Sequence, residues 1–184
     1  ISQRILIIGS LLNCDINVSG FLNAKDPLST MAALNQIGAS INKDGDLVKI
    51  KKRSRPFNSP DSSIDLGNSG TGMRLLTGLI SGLNLKATLI GDESLSQRPM
   101  SRVVNPLVKM GKKISTNDGK TPIKIEGGSI NDNFEYQMPV ASAQVKSSLI
   151  LASLSSGNSI HIKEPKVTRD HTCLLYTSDA ADEV

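Results

Sequence analysis

GTGMRLLTGLISGL, residues 70–83, decides the fold. Leu75, Leu76, Leu79, Ile80 and Leu83 crowd nearly every side of a helix here, leaving Ser, Thr and Gly for a thin polar face. A helix apolar almost all round belongs in an interior. Just upstream, DLGNS (65–69) reads as a glycine-rich turn leading into the helix. Helix starts of this kind offer N–H groups and a partial positive charge to anions. The stretch is neither a P-loop nor a dinucleotide fingerprint: it lacks GK[ST], and its glycines are spaced GxxGxG.

Outward from this stretch, the chain repeats it. ISQRILIIGSLL (1–12) and ASAQVKSSLILASL (141–154) share the same small or polar opening, one base and an apolar run. The bases are Arg4, Arg74 and Lys146, 70 and 72 residues apart. A short β-like segment follows each run: DINVSG (15–20), KATLIGD (86–92) and SIHIKEP (159–165). After the first two comes a second helical pattern, DPLSTMAALNQIG (26–38) and RPMSRVVNPLVKMG (98–111), each closed by glycine. Pro106 should kink or shorten the second of these. Hairpin patterns then alternate polar with apolar around Asp44-Gly45 and Asp118-Gly119.

The unit is thus strand–helix–strand–helix–hairpin in about 70 residues, with the first lacking its opening strand and the third cut after its second strand. The fold class is α/β, with helices inside, half-exposed sheets outside and approximate threefold repetition. Three interior helices so related would send their N-termini toward one end and make an anion-binding floor. Three ordinary capped helices with structural ion pairs would give the same pattern, and spacing alone does not choose between them.

The chain has 184 residues, enough for one domain with a core, and with no Trp and 3% aromatics that core is aliphatic. No run reaches the roughly 18 apolar residues of a membrane-spanning helix. Cys14 and Cys173 form no metal or redox spacing, which fits a reducing cytoplasm. The chain opens on Ile1 rather than Met, so its start is expected to be cut or processed. CLLYTSDAADEV (173–184) breaks the style of the chain and resembles one reading frame of a sequencing-library adapter. It is set aside as a non-native tail, leaving a domain of 1–172. Without Asp179, Asp182 and Glu183, 21 bases face 14 acids, a net +7 that suits an anionic partner.

GNSGTGMR, DESLSQRPM, SAQVKSSLILASL and EPKVTRDHT, in this order and spacing, resemble the 5-enolpyruvylshikimate-3-phosphate synthase family over 1–172. The resemblance implies two similar domains of three βαβαββ units each, of which this chain is most of one. It implies transfer of the enolpyruvyl group of phosphoenolpyruvate to shikimate 3-phosphate with release of phosphate. It implies no metal or organic cofactor, a cytoplasmic location and a monomeric parent protein. By the same resemblance, Arg4, Ser142, Ala143, Gln144 and Arg169 bind shikimate 3-phosphate, and Asn68, Gly70, Arg98 and Gln144 bind phosphoenolpyruvate. Ala143 stands where many relatives have a second serine, which leaves only its backbone N–H for the ligand. By the resemblance Gly70 lies with its backbone against phosphoenolpyruvate; it also reads as a turn glycine at positive φ, and both can hold; it implies sensitivity to glyphosate in the parent. Arg74 is expected to hold the loop by ion pairing, and Lys146 is a weaker ligand candidate. No catalytic residue is assigned: the family's lysine and acid–base carboxylates match no segment here, so this chain is expected to be inactive alone.

Two other readings are weaker. The sugar-nucleotide enolpyruvyl transferases of cell-wall synthesis share the architecture, but their reactive-cysteine loop has no match. KKRSR (51–55) hints at a nucleic-acid-binding module, but it follows a hairpin and has no interleaved aromatics. His161 and His171 have no partner pattern and read as structural.

Overall fold

The computed structural model describes residues 1–131 and 133–177. The tail residues 178–184, with Asp179, Asp182 and Glu183, lie outside the described residues.

The middle unit is complete. It runs β4 (Ile64–Asp65), α3 (Gly70–Gly82), β5 (Ala87–Ile90), α4 (Glu93–Ser96), α5 (Ser101–Lys109), β6 (Ile114–Asn117) and β7 (Lys120–Ile125). Its sheet has the order β4-β5-β7-β6, with β4 and β5 parallel and the other pairs antiparallel. The first unit runs α1 (Ser2–Leu11), β1 (Ile16–Val18), α2 (Lys25–Gln36), β2 (Ser40–Asp44) and β3 (Leu47–Lys51). Its order β1-β3-β2 repeats that of β5-β7-β6. The third runs β8 (Phe134–Gln137), α6 (Ala143–Ser156) and β9 (Ile160–Lys163), with β8 and β9 parallel as β4 and β5 are. Helix α7 (His171–Thr177) follows, spanning the expected boundary at 172.

The sheets bury one face each. Val48 and Ile50 of β3 are buried, and the alternating Lys49 and Lys51 are exposed. Helix α3 forms the centre: Met73, Leu75, Leu76, Leu79 and Ile80 have no exposed surface. Each such side chain contributes about 2 kcal/mol of burial. A second apolar cluster joins α5, α6 and β8 through Leu107, Met110, Met138 and Leu149. Between the clusters, α3 and α6 approach through small residues. A Cβ on Gly78 would fall 2.6 Å from Ser148 Oγ and nearer still to the Ser148 carbonyl oxygen. One on Gly82 would fall 2.8 Å from Ala152 Cα.

One local detail differs from expectation. The first hairpin turns on Gly45-Asp46, one residue on from the expected Asp44-Gly45, because Asp44 pairs with Leu47 inside the ladder. The second turns on Asp118-Gly119 as read, with both residues at positive φ. Pro106 lies inside α5, which has 9 residues against 12 in α2. Gly38 and Gly111 close the helical stretches at φ 102° and 109°, where only glycine is unstrained.

Candidate anion site at three helix starts

The helix starts of α1, α3 and α6 are tied together by side chains. Gln3 of α1 donates to Ser69 Oγ at 2.7 Å and to Thr30 Oγ1 at 2.9 Å. Ser69 is the N-cap of α3 and accepts from the Gly72 N–H at 3.1 Å. Gln144 of α6 donates to Thr71 Oγ1 at 3.0 Å, across to the first turn of α3. Arg4 Nε donates to Thr172 Oγ1 at 3.0 Å, and Thr172 donates to Ser147 Oγ at 2.8 Å. The links close a ring through α1, α3, α6 and α7, so the three N-termini do meet at one end.

The loop before α3 is itself fixed. Gly67 takes the turn at φ 53°, and its N–H donates to Asp65 Oδ1 at 2.8 Å. Gly70 is not at positive φ; it opens the helix, so the turn reading of this glycine is corrected and Gly67 is the turn residue. Asn68 donates to both oxygens of Asp92 at 3.0 and 2.9 Å and accepts from Arg98 at its Oδ1. Asp92 also accepts from the Leu95 N–H, capping α4. Hydrogen bonds from the Leu95 backbone and Asn68 hold the Asp92 carboxyl below the usual range.

Arg74 and Arg98 converge on Gly70. A Cβ there would lie 3.0 Å from Nη1 of each. Arg74 donates to the Gly70 carbonyl at 3.1 Å and to the Pro99 carbonyl at 3.4 Å. The expected ion pair of Arg74 is thus corrected: it holds the loop through carbonyls. Burial, then the charges of Arg98 and Arg102, pull its pKa below the ordinary arginine value. Arg4 is likewise lowered by burial. Among the described residues, Arg4, Arg74 and Arg98 form no salt bridge. Arg74 and Arg98 thus come together with no direct carboxylate partner, Asp92 reaching Arg98 only through Asn68, an arrangement that suits an anion.

Not every expected donor is free. The Gly70 N–H is taken by the Asn68 carbonyl at 2.9 Å and the Gly72 N–H by Ser69. Ser142 caps α6, accepting from Val145 N–H at 3.4 Å, and Ala143 opens that helix. Arg169 stands exposed in the segment before α7. Lys146 does not face a ligand. It is buried, paired with Glu164 at 2.7 Å and with Asp170. Burial alone would lower its pKa, but the hydrogen bonds it donates to Asp170 and Glu164 outweigh this and raise it. His161 is exposed in β9, and His171 opens α7. Of the basic run 51–55, Lys51 pairs with Asp15 at 2.8 Å, and Arg53 donates to the Ser10 carbonyl and stacks on Phe57 at 3.9 Å.

Sequence reading missed Gln3, Thr71 and Thr172. Each is a plain polar residue whose role appears only when distant segments meet.

A family model described as EPSP synthase (3-phosphoshikimate 1-carboxyvinyltransferase) matches residues 1–177. The chain belongs to the EPSP synthase family. It is 46% identical over 173 residues to the 3-phosphoshikimate 1-carboxyvinyltransferase of Ruthia magnifica subsp. Calyptogena magnifica, covering 94% of this chain and 40% of that protein. Identity to the protein of that name from Methylococcus capsulatus is 47% over 175 residues, with the same coverage. The structure of EPSP synthase from Acinetobacter baumannii superposes with a TM-score of 0.86 at 39% identity, covering 93% of this chain and 39% of that one. The chain therefore spans about 40% of the length of the curated relatives it matches. Family membership answers the α/β, helices-inside expectation, and it favours the shikimate branch over the sugar-nucleotide transferases.

The space at Gly70 makes a specific forecast. In Gly70→Ala the methyl reaches two guanidinium ends rather than backbone. Stability should change by less than about 1 kcal/mol, because alanine also favours helix. The Arg74 and Arg98 side-chain N–H resonances should shift. A large stability loss with unmoved arginine signals would contradict this geometry.

Proposed function

We propose that this chain supplies the helix-terminus part of an enolpyruvyl transferase site that moves the enolpyruvyl group of phosphoenolpyruvate to shikimate 3-phosphate and releases phosphate. The observation that carries the reading is the ring joining three helix starts beside arginines that, among the described residues, form no direct salt bridge. Both substrates are strongly anionic. In this reading Arg4, Ser142, the Ala143 N–H, Gln144 and Arg169 receive shikimate 3-phosphate. Asn68, Gly70, Arg98 and Gln144 receive phosphoenolpyruvate. Gln144 is shared by both in this reading; its side chain donates to Thr71 Oγ1 at the first turn of α3. The guanidinium fork of Arg98 suits either a carboxylate or a phosphate. No catalytic acid or base is assigned to these residues, and no metal or organic cofactor enters the reading.

Among the described residues no helix is long and apolar enough to cross a membrane. We place the reaction in the cytoplasm and expect a monomeric parent, with 173–184 as a non-native tail.

The test is a graft. Residues 1–172 replace the matching segment of the Acinetobacter baumannii enzyme, and phosphate release is followed with both substrates. The graft should turn over, and Arg98→Ala within it should lower kcat/KM by roughly 30- to 1000-fold, the loss of one charge-assisted contact. The chain alone should release no phosphate. An inactive but folded graft, or turnover by the chain alone, would contradict the proposal.

A further inference from the structure

A cavity of about 320 Å³ lies outside the residues assigned to either substrate, apart from Ser142 at its edge. Its walls are one face of α5 and the segment from Tyr136 to Ser142. On α5, Arg102, Asn105, Pro106 and Lys109 recur at helical spacing, so they share one face. The floor is apolar: Met138 is 2% exposed and Val145 5%. Tyr136 supplies a flat wall, held parallel to Phe134 with ring centroids 6.1 Å apart. The lining carries two bases, Arg102 and Lys109, and no acid.

We propose that this cavity is a second anion site, which binds a small molecule with a carboxylate on a flat apolar body. Charge and shape argue together. Two cations without an acid in the lining attract an anion, and the guanidinium fork of Arg102 matches a carboxylate. The apolar floor and aromatic wall reward a flat hydrocarbon body, which a bare phosphate lacks. Arg102 and Lys109 are separated by seven residues, about 10 Å along the helix, so each can meet a different part of one ligand. The carboxylate belongs at the Arg102 end, with the ring between Tyr136 and Met138. Burial raises the Tyr136 phenol above its ordinary pKa, which keeps it a neutral donor at the wall. The inference does not rest on the enolpyruvyl reading.

The probe is 1-naphthoate, titrated into the full chain by two-dimensional amide NMR, with 1-naphthalenemethanol as its neutral counterpart. Saturable shifts should centre on α5 and residues 136–142. Arg102→Ala should weaken binding at least about tenfold, the loss of a charge-assisted hydrogen bond. Arg98→Ala should leave it unchanged. Arg102 is exposed, so its variant should keep the wild-type spectrum elsewhere. Equal binding of the alcohol, unchanged affinity in Arg102→Ala, or shifts confined to the α1, α3 and α6 starts would overturn the proposal. Shikimate 3-phosphate, run in parallel, reports on those helix starts independently, so either site can fail without the other.

Discussion

Gly78→Ala should destabilise the chain by about 3 kcal/mol or more, or prevent its folding. The added methyl would overlap the Ser148 carbonyl oxygen and crowd Ser148 Oγ. The carbonyl is backbone in the middle of α6, so it cannot rotate away as a side chain would. The helices must separate, and with them the contact between the two apolar clusters. Overpacking of a close-packed core costs typically 1–3 kcal/mol and more when backbone must move. Against a total stability of about 5–15 kcal/mol this is a large fraction. Urea unfolding followed by circular dichroism gives the number. A midpoint equal to wild type would show that α3 and α6 do not meet as described. Gly70→Ala on the same helix serves as the mild control.

Lys146→Met should cost about 2 kcal/mol at neutral pH and change the shape of the pH profile. The Lys146 side chain is 8% exposed, and its partners Glu164 and Asp170 are 17% and 45% exposed. Removing one member of a fully buried pair costs about 3–5 kcal/mol, and the exposure of the acids reduces that. The hydrogen bond from Lys146, then that from Thr168, holds the Glu164 carboxyl below its ordinary value. Its contribution is therefore complete above the unfolded value near 4.3 and fades as pH falls through the lower folded value. Lys146 is raised, so its contribution is complete below about 10.4 and fades as pH rises through the higher folded value. Wild type should show a plateau between these limits. The variant should sit lower on the plateau and lose less on acidification. Parallel profiles for the two proteins would contradict this account of the pair. Because Asp170 precedes α7, the variant should also loosen Thr172 and its hydrogen bond from Arg4.

Much of this architecture is legible because burial leaves a periodic mark. Helix α3 is apolar on all sides because it is enclosed on all sides. The hairpins alternate because each sheet buries one face. The four-residue α4 is too short to carry a period and has no sequence signal, and the two-residue β4, expected as the unit's opening strand, is too short to be placed on particular residues. The site divides in the same way. The candidates Arg4, Asn68, Gly70, Arg98, Ser142, Ala143, Gln144 and Arg169 follow from motifs, and the ring of hydrogen bonds does not. Gln3 and Ser69 stand 66 residues apart, and Arg4 and Thr172 168 apart. Nothing local distinguishes a glutamine that bridges two helices from one that faces water. Arg74 misled for a related reason. A base at a helix start looks like an ion-pair partner, whereas here the nearest charges are other arginines.

The most direct test of the central claim is an amide NMR titration of the chain with shikimate 3-phosphate. Weak, saturable shifts should appear at Arg4, Ser142, Ala143 and Gln144, be absent with unphosphorylated shikimate and be lost in Arg4→Ala. Flat spectra at millimolar ligand, or the same shifts with unphosphorylated shikimate, would contradict the claim that these helix starts form a phosphate site.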